Sequence, residues 1–341
     1  MKSEATEEPE AEVELASRSD IGQVRQANED SCDIFVREDG TTLLVVADGM
    51  GGHRGGATAS RTAVETIGEL FVSESSGRFA ERLGGAIEIA NTRIFELART
   101  DPDLEGMGTT LVVFLMDERR RGTVAHVGDS RAYRYRQGRL EALTTDHSVV
   151  AEMHRRGLIS ADEAAAHPRR NEILRSVGVL PQVDVEIASV DIAPGDRFVL
   201  CSDGLTGMVS DEEIAAVVQA ESPDRAVERL IEMANERGGP DNITVQILSI
   251  PADASEGDPE ATAPVEISEI GIQAIENRRR VRRRNRRLLS GLAIAAVIVG
   301  AILVWRGLHP EGSMGPAPSG GPGAAADAID AADAPRHGIP R

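Results

Sequence analysis

The sequence predicts a layered α+β fold, and three observations carry that prediction. Short β-branched runs recur between residues 15 and 250. Three of them, at 110–116, 123–127 and 132–136, are separated only by short turns (DERRRG, then GDSR). Parallel neighbours need crossovers of a dozen or more residues, so these three are expected to be antiparallel neighbours, and a doubly wound nucleotide-binding fold is disfavoured. Between such runs lie long stretches with the apolar period of helices, which must bury their stripes against the sheets.

In chain order, residues 1–14 come first as an acidic leader. Glu4, Glu7, Glu8, Glu10, Glu12 and Glu14 stand there with no base between positions 4 and 14, which reads as a solvated, disordered segment. The run SCDIFV after Glu29 and Asp30, and residues 41–47 (TTLLVVA), are short, apolar and largely β-branched, as strands are. Residues 57–70 and 78–98 carry the helical period, and the three close strands follow. A further helix is expected over 148–156. Strands at 197–201 and 243–250 bracket helices at 211–219 and 224–236, the first of them capped by Ser210 or Asp211 with Glu213 in its first turn.

Composition narrows the function classes. The chain has 341 residues, room for one large domain or two ordinary ones, and its 41 % hydrophobic content supports a sizeable core. A net charge of −19 argues against nucleic acid, whose phosphates select Lys and Arg surfaces. Cys32 and Cys201 are the only cysteines, without CxxC or Cys/His zinc spacing; a disulfide scaffold is excluded and a reducing compartment fits. The first thirty residues lack an apolar run, so no signal peptide is expected.

The C-terminal region reads differently. Residues 251–287 form a linker, rich in Pro, Ala, Glu and Ser at first and ending in RRRVRRRNRR at 278–287. Residues 288–305 (LLSGLAIAAVIVGAILVW) carry no charge. As a helix at about 1.5 Å per residue they reach roughly 27 Å, close to the roughly 30 Å hydrocarbon core of a bilayer. A single transmembrane helix is therefore expected there. The Arg run before it, against Arg306 alone just after it, places the N-terminal side in the cytoplasm and residues 306–341, a Gly/Pro/Ala-rich disordered tail, on the other side of a cell membrane.

The most informative feature is where the acids fall. Asp48 closes the strand LLVVA and precedes Gly49; Asp129 closes TVAHVG; Asp203 closes FVLCS and precedes Gly204; Asp241 opens NITVQIL; Glu29 and Asp30 open SCDIFV. One aspartate at a strand end is ordinary turn chemistry. Five such ends in one domain form a pattern. If they meet, carboxylate repulsion would raise pKa values unless cations neutralise it. An all-oxygen donor set suits Mg²⁺ or Mn²⁺ rather than zinc or copper, and two such ions can deprotonate a water and hold a phosphoryl oxygen. A structural calcium cage is the plainer alternative, but no EF-hand spacing supports it.

These residues carry a resemblance. The segments SDIGQVRQANEDS (19–31), VVADGMGGHRGGATAS (45–60), GMGTT (106–110), VGDSRAY (127–133), LTTDHS (143–148), LCSDGL (200–205) and GGPDNITV (238–245) occur in the order and spacing of the metal-dependent serine/threonine protein phosphatases of type 2C, and resemble the bacterial members most. The resemblance covers essentially all of 15–250. It implies an αββα sandwich, two antiparallel sheets between helices, with Mn²⁺ or Mg²⁺ in a cleft at one end, two ions bound tightly and a third weakly. Asp48 would bridge the pair and the Gly49 carbonyl would bind one of them. Asp203 and Asp241 would complete the first ion, Glu29 and Asp30 would serve the second directly or through water, and Asp129 with Asp203 would hold the third.

Arg25 would grip the substrate phosphate, as a fork of donors suits a phosphate face, and Asn242 is a further substrate-binding candidate. Many eukaryotic members place a His right after the Asp-Gly pair as general acid; here that position is Met50, and His53 is the usual bacterial histidine, either a general acid or a loop-stabilising or substrate-contacting residue. Residues 146–171 resemble the family's flap beside the cleft. The implied reaction is hydrolysis of phosphoserine and phosphothreonine on cytoplasmic proteins by a metal-bound hydroxide, reversing a serine/threonine protein kinase, with no phosphoenzyme. A catalytically silent binding member should have lost metal carboxylates, and a pure membrane scaffold has no use for them; all are present.

Overall fold

The computed structural model describes residues 13–74 and 76–252. Twelve strands run in chain order: β1 (Glu14–Asp20), β2 (Ser31–Val36), β3 (Thr42–Ala47), β4 (Gly49–Met50), β5 (Gly108–Thr109), β6 (Leu111–Met116), β7 (Arg121–Val127), β8 (Arg131–Arg136), β9 (Arg139–Ala142), β10 (Glu186–Asp191), β11 (Arg197–Cys201) and β12 (Ile243–Ser249). The helices are α1 (His53–Ser73), α2 (Ser76–Thr100), α3 (Val149–Arg155), α4 (Ala161–Ala165), α5 (Asp203–Thr206), α6 (Asp211–Ala220) and α7 (Pro223–Glu236).

Two five-stranded sheets form the centre, in the orders β1-β12-β11-β8-β9 and β10-β7-β6-β3-β2, and every pairing in them is antiparallel. A short ribbon, β4 with β5, stands apart. Helices cover both outer faces, so the core divides into three layers. α1 and α2 lay Ile67, Phe71, Leu83, Ile87 and Ile94 over Leu43, Val45, Val113 and Leu115 of the second sheet. α6 and α7 lay Ile214, Val218, Leu230 and Ile231 over Val199, Val245 and Ile247 of the first. Between the sheets, Leu44, Val46, Val112, Phe114, Phe198, Leu200 and Leu248 meet. This explains the unbroken apolar run of β3: alternate residues face a helix layer and the other sheet, and all six are buried. Phe114 and Phe198 stack across the middle layer with ring centroids 4.2 Å apart at 22°, an arrangement worth about 0.5–1.5 kcal/mol beyond the area buried.

The sandwich expected from the resemblance is present. One local expectation is corrected. β6 and β7 are antiparallel neighbours, but β8 lies in the other sheet, between β11 and β9. The turn at 128–130 crosses from sheet to sheet, with Gly128 at φ 110°, a backbone conformation that favours glycine. Asp203 likewise does more than end a strand, since it begins the one-turn helix α5. Helix α6 starts on a complete capping box, Ser210 with Glu213. No helix among the described residues is long and apolar enough to cross a membrane. The expected leader, linker, span at 288–305 and tail fall outside the described residues, apart from Val13, Glu14, Pro251 and Ala252.

Candidate active site

Strand registers assemble the site. In one sheet Ser31 pairs with Ala47, Val46 with Val112, and Leu111 with Val127. The start of β2, the end of β3, the start of β6 and the end of β7 therefore share one edge, which carries Glu29, Asp30, Asp48 and Asp129. In the other sheet Asp20 pairs with Ile243, and Cys201 with both Val245 and Arg131. That edge carries Asp241 and Asp203. The crossing turn at 128–130 joins the two edges, so all six acids gather at one end of the sandwich.

Hydroxyls and an amide stitch the edges together. Asp30 Oδ2 accepts from Ser202 Oγ at 2.8 Å and Thr244 Oγ1 at 2.6 Å. The Asp48 main chain is held by the next strand: its N–H donates to Thr110 Oγ1 at 3.0 Å, and its carbonyl accepts from Thr109 Oγ1 and Thr110 N, both at 2.8 Å. Ser60 Oγ donates to the Glu29 carbonyl at 2.6 Å. Gly49 and Gly56 leave no room for a side chain. A Cβ on Gly49 would lie 2.3 Å from the Gly56 carbonyl oxygen, and one on Gly56 would lie 1.9 Å from Glu29 Oε2. Only bare backbone at both positions lets the Glu29 carboxylate and the Gly49 peptide sit against the first turn of α1.

Arg25 Nη2 donates to Asp241 Oδ2 at 2.7 Å and the side chain stays about half exposed, so its guanidinium stands at the rim beside the acids. Asn242 takes a different place from the one expected. Its side chain is buried, its Oδ1 accepts from Glu29 N at 2.8 Å, and its Nδ2 donates to the carbonyls of Ile21 at 2.9 Å and Ala27 at 3.0 Å. It clamps the loop that carries Arg25 and Glu29, and with both N–H donors spent on backbone carbonyls it has no side-chain N–H left to offer a phosphate. His53 is the first residue of α1; its side chain lies outside the described residues.

The electrostatics are those of a cation site. Asp48 is pushed well above the ordinary carboxylate range, by burial first and then by Asp30, Asp203, Asp129 and Asp241. Burial lifts Asp30 to about 7 against the hydrogen bonds from Thr244 and Ser202. Burial and then Asp203 lift Asp129 to about 7. Asp203 is raised too, by burial and Asp241. Two carboxylate oxygens, Asp30 Oδ1 and Asp203 Oδ1, are buried with no hydrogen-bond partner. Such an oxygen is costly unless something positive meets it. The all-oxygen set fits a hard divalent cation. The tightest trio of ligating atoms among the described residues lies elsewhere: one each from His126, His147 and Glu186 fall within 4.8 Å of one another.

Comparison with known proteins agrees with this geometry. The family model described as protein phosphatase 2C matches residues 22–245. The chain belongs to the protein phosphatase 2C family. Relatives in the family include the serine/threonine phosphatase stp of Listeria monocytogenes, 39 % identical over 236 residues that span 68 % of this chain and 93 % of that protein. The serine/threonine protein phosphatase PstP of Mycobacterium tuberculosis is 40 % identical over 238 residues, 70 % of this chain; the match spans 45 % of its length. Among protein phosphatase 2C structures, the Streptococcus agalactiae serine/threonine phosphatase superposes with a TM-score of 0.66 at 38 % identity, covering 70 % of this chain and 99 % of that one. The catalytic domain of PstP in complex with two manganese ions superposes with a TM-score of 0.62 at 37 % identity, covering 70 % and 98 %.

Proposed function

We propose that the protein is a metal-dependent serine/threonine protein phosphatase that removes phosphate from phosphoserine and phosphothreonine. The observation that carries this is the convergence of six carboxylates on one end of the sandwich, with two buried oxygens that meet no donor. Asp48, the Gly49 carbonyl, Asp203 and Asp241 would hold one cation, and Asp48 with Glu29 and Asp30 a second. Asp129 and Asp203 would hold a weaker third. When bound, Mn²⁺ or Mg²⁺ supplies Lewis-acid polarisation of a phosphoryl oxygen and a water acidified towards neutral pH.

The chain's own residues do the rest. Asp48, Asp30, Asp129 and Asp203 are kept near one another against their repulsion by main-chain bonds to Asp48 and hydroxyl bonds to Asp30. Asn242 fixes the loop on which Arg25 and Glu29 are mounted. Arg25, charged and half exposed beside Asp241, orients the phosphate as a fork of N–H donors. Phosphoproteins made by a serine/threonine protein kinase are the matching substrates, the role that the resemblance to bacterial members supports.

The same reading places the domain on a membrane through residues 288–305, with the domain in the cytoplasm and residues 306–341 beyond the bilayer. What supports it is the uncharged eighteen-residue run and the eight arginines just before it. Anionic lipid adds about 1 kcal/mol of attraction per base near the surface. The test of the activity uses the purified full-length protein and a phosphothreonine peptide. Phosphate release should need Mn²⁺ or Mg²⁺, stop with EDTA, and fall by orders of magnitude in Asp48→Ala with the fold intact. Full turnover in EDTA would overturn it.

A further inference from the structure

The loop that carries Asp129 is gripped on both sides by two consecutive residues of another segment. Arg131, two residues after Asp129, donates Nε and Nη2 to the Asp146 carboxylate at 2.8 and 2.7 Å. Gly128, just before Asp129, exchanges two bonds with His147: the His147 N–H donates to the Gly128 carbonyl at 2.9 Å, and the Gly128 N–H donates to His147 Nδ1 at 3.2 Å. Residues 146–149 are in turn fastened to 172–174, through Val149 N to Glu172 O at 2.9 Å and Leu174 N to His147 O at 2.6 Å. They form one stalk of the flap, and His147 sits where that stalk meets the acid-bearing turn.

The ring of His147 is buried and its tautomer is set by its neighbours. With the Gly128 N–H donating to Nδ1, the ring proton is assigned to Nε2, which faces Glu186 Oε1 at 3.1 Å and stands 3.2 Å from Arg175 Nη1. The same carboxylate oxygen accepts from Arg175 Nη1 at 3.0 Å. His126 stacks on the ring with centroids 4.5 Å apart at 24° and donates its Nε2–H to the Thr145 carbonyl at 2.9 Å. Proximity alone would make His126, His147 and Glu186 a cation site. The hydrogen bonding speaks against it, since the single unprotonated nitrogen of a neutral His147 is already taken by Gly128. Burial, then His126, then Arg175 lower the pKa of His147, so the ring stays neutral and Nδ1 stays an acceptor.

We propose that His147 is a positioning residue for Asp129: its Nδ1, aimed by the Nε2–H to Glu186 contact, fixes the Val127–Gly128 peptide at the start of the crossing turn and so orients the Asp129 carboxylate toward the weakest of the three cation sites. The inference rests on the reading of Asp129 as a cation ligand. It makes a specific claim about which replacement works. Asn places an amide oxygen near the Nδ1 position and can accept from Gly128, whereas Gln places its oxygen near the Nε2 position and cannot. If His147 only fills space, Gln, closer to it in volume, is the better substitute.

The experiment is a calorimetric Mn²⁺ titration of the full-length protein, with Asp129→Ala defining which site is the weak one. His147→Ala and His147→Gln should weaken that site by about ten- to a hundred-fold, the range for residues that orient a ligand, and leave the tight sites unchanged, which also reports an intact fold. His147→Asn should stay within about three-fold of the parent. In turnover, the Ala and Gln variants should need correspondingly more Mn²⁺ to reach half their maximal rate while KM for the peptide at saturating Mn²⁺ holds. Parent-like weak-site affinity in His147→Gln, or Gln outperforming Asn, would overturn the positioning role. An Asp129→Ala variant that still binds every ion would remove the ligand reading itself, and the inference with it.

Discussion

With the divalent cations removed, lowering the pH from 8 to 5 should make the fold more stable. Most proteins show little gain over that interval, because their carboxylates are lowered by partners and their contributions are already complete. Here burial lifts Asp30 and Asp129 from an ordinary 3.8 to about 7. Between those two values the folded chain holds protons that the unfolded chain has released, so the free energy of unfolding falls as pH rises and recovers as pH drops. At about 1.36 kcal/mol per pH unit, one such group costs the metal-free fold about 4 kcal/mol at pH 8 and gives back about 2–3 kcal/mol on going from pH 8 to 5. The two groups share the neighbour Asp203, so the gains do not simply add. In a domain of this size 1 kcal/mol moves Tm by about 2–4 °C, so a rise of about 6–10 °C is expected in EDTA. Surface pairs titrate outside the window. Glu213, held down to about 2 by Arg237, keeps its contribution above its ordinary 4.5 and loses it only as pH falls towards 2. The assay is thermal unfolding followed by circular dichroism from pH 8 to 5, in EDTA and in saturating Mn²⁺. With Mn²⁺ the trend should reverse, because protons now compete with the cations. A metal-free Tm that falls steadily from pH 8 to 5 would refute the picture of a crowded, unneutralised carboxylate cluster.

Three other outcomes follow from particular residues. Gly56→Ala gains helix propensity of about 1 kcal/mol, yet sets a Cβ 1.9 Å from Glu29 Oε2 and 2.9 Å from the Gly49 backbone carbon; Mn²⁺ affinity should drop at least about ten-fold, and unchanged affinity by calorimetry would contradict the cradle. Arg25→Ala should raise KM for phosphopeptides about ten-fold or more while the ions still bind; lost metal affinity with KM unchanged would move Arg25 out of its substrate role. In cells, after Cys32→Ser and Cys201→Ser, Ser313→Cys should react with an impermeant maleimide and Ser255→Cys should not; the reverse pattern would overturn the proposed topology.

The sequence exposed the strands that lie inside the sheets, and β2 at one rim, but hid the other three rim strands. β3, β6, β7, β11 and β12 are apolar because both faces are covered. β1, β9 and β10 went unread. All three are edge strands, and ELASRSD, RLEA and EIASVD show water most of their side chains, leaving no apolar alternation to detect. β8 was recognised as a strand but expected in the wrong sheet, since nothing local distinguishes a hairpin from a turn that changes layer. At the site, the acids were legible because each closes or opens an apolar run. Their supports were not: Ser202, Thr244, Thr110 and Asn242 look like ordinary polar residues until the sheets bring them against Asp30, Asp48 and Glu29. His147 was visible only as part of a motif, and its bond to Gly128 needs the fold.

The pairing of the first and last strands has a consequence for how the domain can be held. Glu14 lies opposite Ser249 and Asp20 opposite Ile243, so both ends of the described domain leave from the same rim, seven residues or about 23 Å of strand away from the acids. Any attachment through the C-terminal side grips the molecule by its back. The acid-bearing cleft lies at the opposite end of the sandwich from both of these chain ends. Pull on the chain after Ser249 would be borne by β12 at its far end, where a loosened bond or two costs the acids nothing.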